Sequence, residues 1–209
     1  MSGIGSSAFE NARWRAQDAL WLDHSNLSTL DVEWLEPIRR LTVWAVKMPA
    51  GLLASLPNLE SLDFRGGSGT DAAFVEGCAG LRSLSINQVR GLSDLSHLTS
   101  LTHLRALDLF GLPQVTHFPS LEPLGELSTA SIGSMRGLTG ISGLLAAPSL
   151  TDLRLLKRVG VSLADARAIR DKTSIERFEW MAEDVPKNCG LPPVASSTNG
   201  SQTFVLQIF

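Results

Sequence analysis

One apolar spacing recurs through most of this chain: an apolar residue, two others, an apolar anchor, one other, and a third apolar residue. It reads Ile38-Arg-Arg-Leu41-Thr-Val43, Leu59-Glu-Ser-Leu62-Asp-Phe64 and Leu81-Arg-Ser-Leu84-Ser-Ile86. It continues as Leu104-Arg-Ala-Leu107-Asp-Leu109, Leu127-Ser-Thr-Ala130-Ser-Ile132 and Leu150-Thr-Asp-Leu153-Arg-Leu155. Weaker copies, Leu20-Trp-Leu22 and Ile175-Glu-Arg-Phe178-Glu-Trp180, flank these. The anchors fall at 20, 41, 62, 84, 107, 130, 153 and 178, in steps of 21, 21, 22, 23, 23, 23 and 25. So even a step across eight copies is an internal repeat, and a repeat limits the chain to architectures of stacked units. A direct alignment agrees: LSINQVRGLSDLSHL (84–98) lies over ASIGSMRGLTGISGL (130–144), with Ser85/Ser131, Ile86/Ile132, Arg90/Arg136, Gly91/Gly137 and Leu92/Leu138 matched.

Apolar residues two apart around each anchor predict a short strand whose alternate side chains point inward. A single unit cannot bury that set; stacked units make one continuous core. Leucine supplies 34 of the 209 residues, and each buried apolar side chain is worth roughly 1.5–3 kcal/mol before chain entropy is subtracted. Eight strands about 4.8 Å apart span about 34 Å, a width suited to a protein partner rather than to a small molecule.

These residues resemble the leucine-rich-repeat family, whose units follow L-x-x-L-x-L-x-x-N/C-x-L over 20–29 residues. The resemblance covers about 165 of the 209 residues and is nearest the short-repeat, internalin-like class. It implies an α/β fold: a right-handed leucine-rich-repeat solenoid of about eight repeats of 21–25 residues. Such a solenoid has a parallel concave sheet, with short helices and turns on the convex side. The family's Asn/Cys position, five after each anchor, here holds Ser25, Val46, Gly67, Val89, Leu112, Met135, Arg158 and Glu183. A buried Asn ladder is therefore missing, and apolar packing is expected to close several turns instead. Arg158 beside Val159 points to a one-residue slip in the seventh copy.

Three regions follow. Residues 1–19, which include Trp14 and the run AFENARWRAQDAL, read as a helical N-terminal cap. Residues 20–185 form the solenoid, and 186–209 a turn-rich tail that ends in a capping strand, TFVLQIF (203–209). Folding of that strand back on the last repeat is expected, with docking into a partner or a second copy by strand addition as the alternative. Within the ladder, Gly66, Gly67 and Gly69 form a turn, and Thr70 or Asp71 caps a short helix through Glu76. VSLADARAIRD (161–171) reads as a helix with Ser162 as N-cap and Val161, Leu163 or Ala164, and Ala168 on its inner face.

The composition narrows function. Lys+Arg 18 against Asp+Glu 21 gives a net charge of -3, without the basic footprint of a nucleic-acid binder or a membrane-surface protein. No run reaches the roughly 18 apolar residues of a membrane span, and MSGIGSSAFENARWR lacks a basic start followed by an apolar core. Two cysteines, Cys78 and Cys189, make neither a disulfide framework nor a zinc cluster, so a cytoplasmic setting is expected. No cofactor, metal or catalytic set is expected: His24, His97, His103 and His117 show no ligand spacing, and no Gly-x-Ser-x-Gly elbow occurs. The glycine run at 66–69 is not followed by Gly-Lys-Ser/Thr, so it is not a phosphate loop.

What remains is the outward strand face. Aromatic residues and arginine among small polar ones have the composition of a binding hot spot. The candidates are Trp21, Asp23, Arg40, Trp44, Asp63, Arg65, Asn87, Asp108, Phe110 and Arg154, with Trp44 and Arg65 central. The expected function is recognition of another protein, as an adaptor or recognition module. A dedicated inhibitor or immunity-type protein that neutralises a toxin or enzyme is the alternative. The register predicts that Leu107→Asp unfolds the chain while Asp108→Ala leaves circular dichroism and melting nearly unchanged; equal damage from both would refute the inside/outside assignment.

Overall fold

The computed structural model describes residues 12–27, 33–182, 195–198 and 201–207. The chain is α/β, with a mostly parallel sheet and few helices. Its strands are β1 (Arg13–Ala16), β2 (Ala19–Asp23), β3 (Arg40–Trp44), β4 (Ser61–Arg65), β5 (Ser83–Asn87), β6 (Ala106–Phe110), β7 (Thr129–Met135), β8 (Asp152–Val159), β9 (Arg177–Ala182), β10 (Ala195–Thr198) and β11 (Ser201–Gln207). β2 to β9 lie side by side in sequence order and are all parallel. The register joins the anchors: Leu20↔Leu41, Leu41↔Leu62, Leu62↔Leu84, Leu84↔Leu107, Leu107↔Ala130, Ala130↔Leu153 and Leu153↔Phe178.

Each strand sends its anchor and the residue two later into one continuous core, together with the apolar residue three before the anchor. Phe64 is the partial exception: it is half-buried and stacks on Phe74, ring centroids 4.0 Å apart. The crossovers back the sheet with single 3-10 turns at Glu33–Leu35, Leu53–Ser55, Ala73–Val75 and Ser96–Ser100, and with helices α1 (Ser142–Leu145) and α2 (Leu163–Asp171). The turn after Gly69 is shorter than the expected helix, with Asp71 Oδ1 accepting from the Ala73 N–H at 3.0 Å. No helix among the described residues is long and apolar enough to cross a membrane.

The turns close by a backbone device that the side chains do not advertise. Four residues past each anchor, His24, Ala45, Gly66, Gln88, Gly111, Ser134 and Lys157 all have φ between 42° and 70°. Only Gly takes this left-handed conformation without penalty; other residues lose roughly 1–2 kcal/mol. In return the chain turns sharply, and the N–H of His24, Ala45, Gly66, Gln88 and Gly111 donates to the carbonyls of Trp44, Arg65, Asn87, Phe110 and Gly133 at 2.8–2.9 Å. At the other end of the strands, the carbonyls of Asp18, Arg39, Glu60, Arg82, Arg105, Ser128 and Thr151 each accept two N–H groups from the next unit. These bonds stand where the Asn ladder would be. Beside them Val89, Leu112 and Met135 are buried, as is Ser25, whose Oγ donates to the Asp23 carbonyl; Glu183 lies outside the described residues. The seventh copy does slip by one residue: Met135 pairs with Val159 across a bulge.

Two elements differ from expectation. Residues 13–16 are a strand rather than part of a helix: β1 runs antiparallel to β2, pairing Arg13 with Trp21 and Trp14 with Leu20. A short lone helix is marginal, whereas the open edge of β2 offers a row of unpaired backbone groups. Trp14 remains 46% exposed and meets Trp34 edge-on. Residues 1–11 lie outside the described set. α2 forms where expected and Ser162 caps it, but the helix is rotated: Asp165, Ala166 and Ile169 are buried, while Leu163 is 55% exposed and Ala164 and Ala168 also face out. The rotation follows from Asp165, whose carboxylate accepts from Ser162 N–H (2.9 Å), Ser162 Oγ (2.6 Å) and Ile141 N–H (3.2 Å). At the far end β11 pairs antiparallel with β9, and β10 with β11, so both neighbours of β11 belong to its own chain. Residues 183–194 lie outside the described set.

The turn conformation is testable by substitution. Ala45→Gly removes a left-handed penalty and should raise stability by up to about 1 kcal/mol, or about 2–4 °C in melting temperature. Gly111→Ala should lower it by about the same or more, since φ is 70° and the added Cβ would lie 2.9 Å from Gln88 Cγ. Thermal melts of the two variants check both signs.

Candidate functional site

Alternation within β2 to β9 leaves three columns of side chains on the outer face of the sheet. The register makes neighbours of Trp21, Thr42, Asp63, Ser85, Asp108, Ser131, Arg154 and Glu179. A second column holds Asp23, Trp44, Arg65, Asn87, Phe110, Gly133, Leu156 and Met181. None of the ten candidates is in the core: Arg40 and Trp44 are exposed and the other eight half-buried.

Trp21, Asp23, Trp44, Asp63 and Arg65 come together on β2, β3 and β4. Trp21 and Trp44 meet edge-on with ring centroids 6.3 Å apart. The Arg65 guanidinium lies 5.4 Å from the Trp21 centroid, and Arg15 of β1 lies 5.3 Å from it. Each such contact contributes about 0.5–1 kcal/mol at an exposed site. Arg65 is anchored by Asp63, with Nε at 2.9 and 2.8 Å from the two carboxylate oxygens and Nη2 at 2.7 Å. Hydrogen bonding to Asp63 raises the Arg65 pKa above its ordinary value, and the charges of Asp63 and Asp108 add to it. Asp23 takes the His24 ring nitrogen, and that ring leans on Trp44 at 6.0 Å. Gly66 passes beneath Trp44, where a Cβ would come within 3.1 Å of the indole. A bare backbone there lets the indole lie flat, 44% exposed.

The other candidates lie apart from this cluster. Arg40 is held at the strand entrance by Asp18 (2.8 Å). Asn87 lends its carbonyl to the Gly66 N–H, and Asp108 accepts from Ser85 Oγ at 3.1 Å. The Phe110 ring covers Gly133, at which a Cβ would sit 2.7 Å from Phe110 Cδ2. Arg154 belongs to a separate network on β8 and β9: its Nε faces Asp152 at 3.3 Å and Glu179 at 3.5 Å, and Asp152 also takes Arg177 at 3.0 Å. Two contributors were missed in the sequence. Arg15 was assigned to a helix and is instead delivered by β1. Lys157, whose Nζ is 5.5 Å from the Phe110 centroid, is brought over that ring by the left-handed turn at the slip; the Arg158–Val159 irregularity was its one signal.

Reactive groups elsewhere are tied into structure. His103 and Arg105 share Glu126, each at 2.8 Å, and hydrogen bonds from His103 and then Arg105 hold that carboxyl below its ordinary pKa. Among the described residues no group of three His, Cys, Asp or Glu is arranged to hold a metal ion. Cys78 is a free, buried thiol whose pKa is pushed up to about 11 by burial; Cys189 lies outside the described residues. In a Cys189→Ser background, Cys78 should therefore resist a thiol reagent at pH 8 until denaturant unfolds the chain, which absorbance of the released chromophore measures. No family model matches the chain, and no curated protein matches it.

Proposed function

We propose that this chain is a right-handed leucine-rich-repeat solenoid that recognises a partner protein on the outer, concave face of its parallel sheet. Right-handed crossovers are the rule for adjacent parallel strands, and the seven-fold recurrence of anchor pairing and left-handed turns favours the leucine-rich-repeat reading. The observation that carries the functional reading is the cluster of Trp21, Trp44 and Arg65. Two indoles and a guanidinium already oriented by Asp63 lie on the outside of a sheet whose other face holds the core. Aromatic and arginine side chains held in place before docking lose little entropy on binding, which is what hot spots require. The role is binding rather than catalysis, in a cytoplasmic setting, as an adaptor or recognition module. A dedicated inhibitor or immunity-type protein is the second reading, favoured by the rigidity of the face. Self-association through the C-terminal hairpin is the third reading, and it would use the edge of β10 that faces no other described strand, since β9 and β10 occupy both sides of β11.

The test is affinity capture from the source cell with wild type beside a Trp44→Ala/Arg65→Glu variant, both checked by circular dichroism. One stoichiometric partner should be held by wild type and lost, by at least tenfold, by the variant. Equal capture on both baits would refute the site, and loss of the partner's own activity in the complex would select the inhibitor reading.

A further inference from the structure

The two edges of the sheet differ in charge. Where the strands enter, cations and carboxylates are paired: Arg40 with Asp18, Arg39 with Glu60, Arg105 with Glu126 and Arg177 with Asp152. Where the strands leave, residues four to seven past the first seven anchors include Lys47, Arg90, Arg136, Lys157 and Arg158, all exposed, and no Asp or Glu. Three of these cations, Arg136, Lys157 and Arg158, converge on a cleft of about 520 Å³. The left-handed turns of successive units floor it, bringing in Gln88, Ser134 and Lys157, and the Phe110 ring forms a wall. Among the described residues no acidic side chain lines the cleft.

We propose that this cleft receives a carboxylate-bearing segment of the partner protein: an acidic loop whose Asp or Glu side chains enter between Arg136 and Lys157, with Phe110 as the apolar wall beside them. The inference rests on the reading of the outer face as a protein-binding surface, which Phe110 borders, and it names the partner's chemistry there. A guanidinium and an ammonium in one concavity bind carboxylates through charge-assisted hydrogen bonds. The volume suits one or two side chains, and the paired opposite edge offers no continuous basic track, so an acidic protein segment fits better than a nucleic-acid strand. The concentration of positive charge is local, in a chain whose net charge is -3.

The test needs no identified partner, so it can fail while capture on the Trp44/Arg65 face succeeds, or the reverse. A fluorescein-labelled deca-glutamate peptide is titrated by anisotropy at low ionic strength against wild type, Arg136→Glu/Lys157→Glu and, as a control at the paired edge, Arg39→Glu. The expected result is saturable binding that weakens with salt, falls at least tenfold in the double variant and is retained in the control. Arg136→Gln/Lys157→Gln, with no new charge, should show the same loss if the reversal variant is misfolded by circular dichroism. Absent binding, or equal binding by wild type and the charge-neutral variant, overturns the proposal. So does displacement of the peptide by inorganic phosphate at concentrations where chloride has no effect, which assigns the cleft to a small free anion. Tighter binding of a single-stranded oligonucleotide, lost in the same variants, assigns it to nucleic acid and also overturns the proposal.

Discussion

The bond from the left-handed turn residues His24, Ala45, Gly66, Gln88 and Gly111 to a carbonyl of the next strand is the constraint on which the rest of the structure depends. It fixes where one unit ends relative to its neighbour, and so it fixes which residues stack as anchors. Its acceptors are the carbonyls of Trp44, Arg65, Asn87, Phe110 and Gly133, which are also the residues of the outer second column. The main chain that closes the turns thus holds the outward residues of that column in place. Side-chain contacts such as Asp63 with Arg65 then orient only the tips, at a modest surface contribution.

That arrangement separates two demands. The inward positions need only apolar volume, which is why Leu, Ile, Val, Phe and Ala interchange there and Ala130 sits at an anchor opposite Leu107 and Leu153. The outward positions are free to carry Trp, Arg, Asp, Ser or Gly without disturbing packing. Glycines enter where units approach most closely: at Gly137 a Cβ would lie 2.2 Å from the Pro113 carbonyl oxygen, so the turn there admits no side chain. Gly91, its partner in the sequence alignment, takes φ 85°, and a Cβ there would lie 3.2 Å from the Gly69 carbonyl oxygen.

The parts that were legible in the sequence are those governed by burial. All eight anchors pair in the expected register because a slip of one residue would turn every leucine outward. The left-handed column was not legible, since His, Ala, Gly, Gln, Gly, Ser and Lys share no side-chain property; the requirement is on the backbone alone. The rotation of α2 was not legible because apolar spacing placed Leu163 or Ala164 and Ala168 inward, whereas the buried acceptor Asp165 ties the opposite side of the helix to Ile141. β1 was misjudged because local propensity does not register the open edge of a neighbouring strand. Among the candidate residues, placement on the outer face was readable from alternation. Their division into a Trp–Arg cluster on β2–β4 and a separate ionic network on β8 and β9 depended on side-chain reach, which alternation does not encode.

The antiparallel strands at both ends of the parallel stack have a geometric consequence. β1 and β11, each antiparallel to the strand it flanks, occupy the backbone edges of β2 and β9 on which a further parallel unit would stack. The run of parallel neighbours therefore stops at β2 on one side and at β9 on the other. The outer face of that run is eight strands wide, so a change in what it presents proceeds by exchanging outward residues within that frame rather than by adding strands.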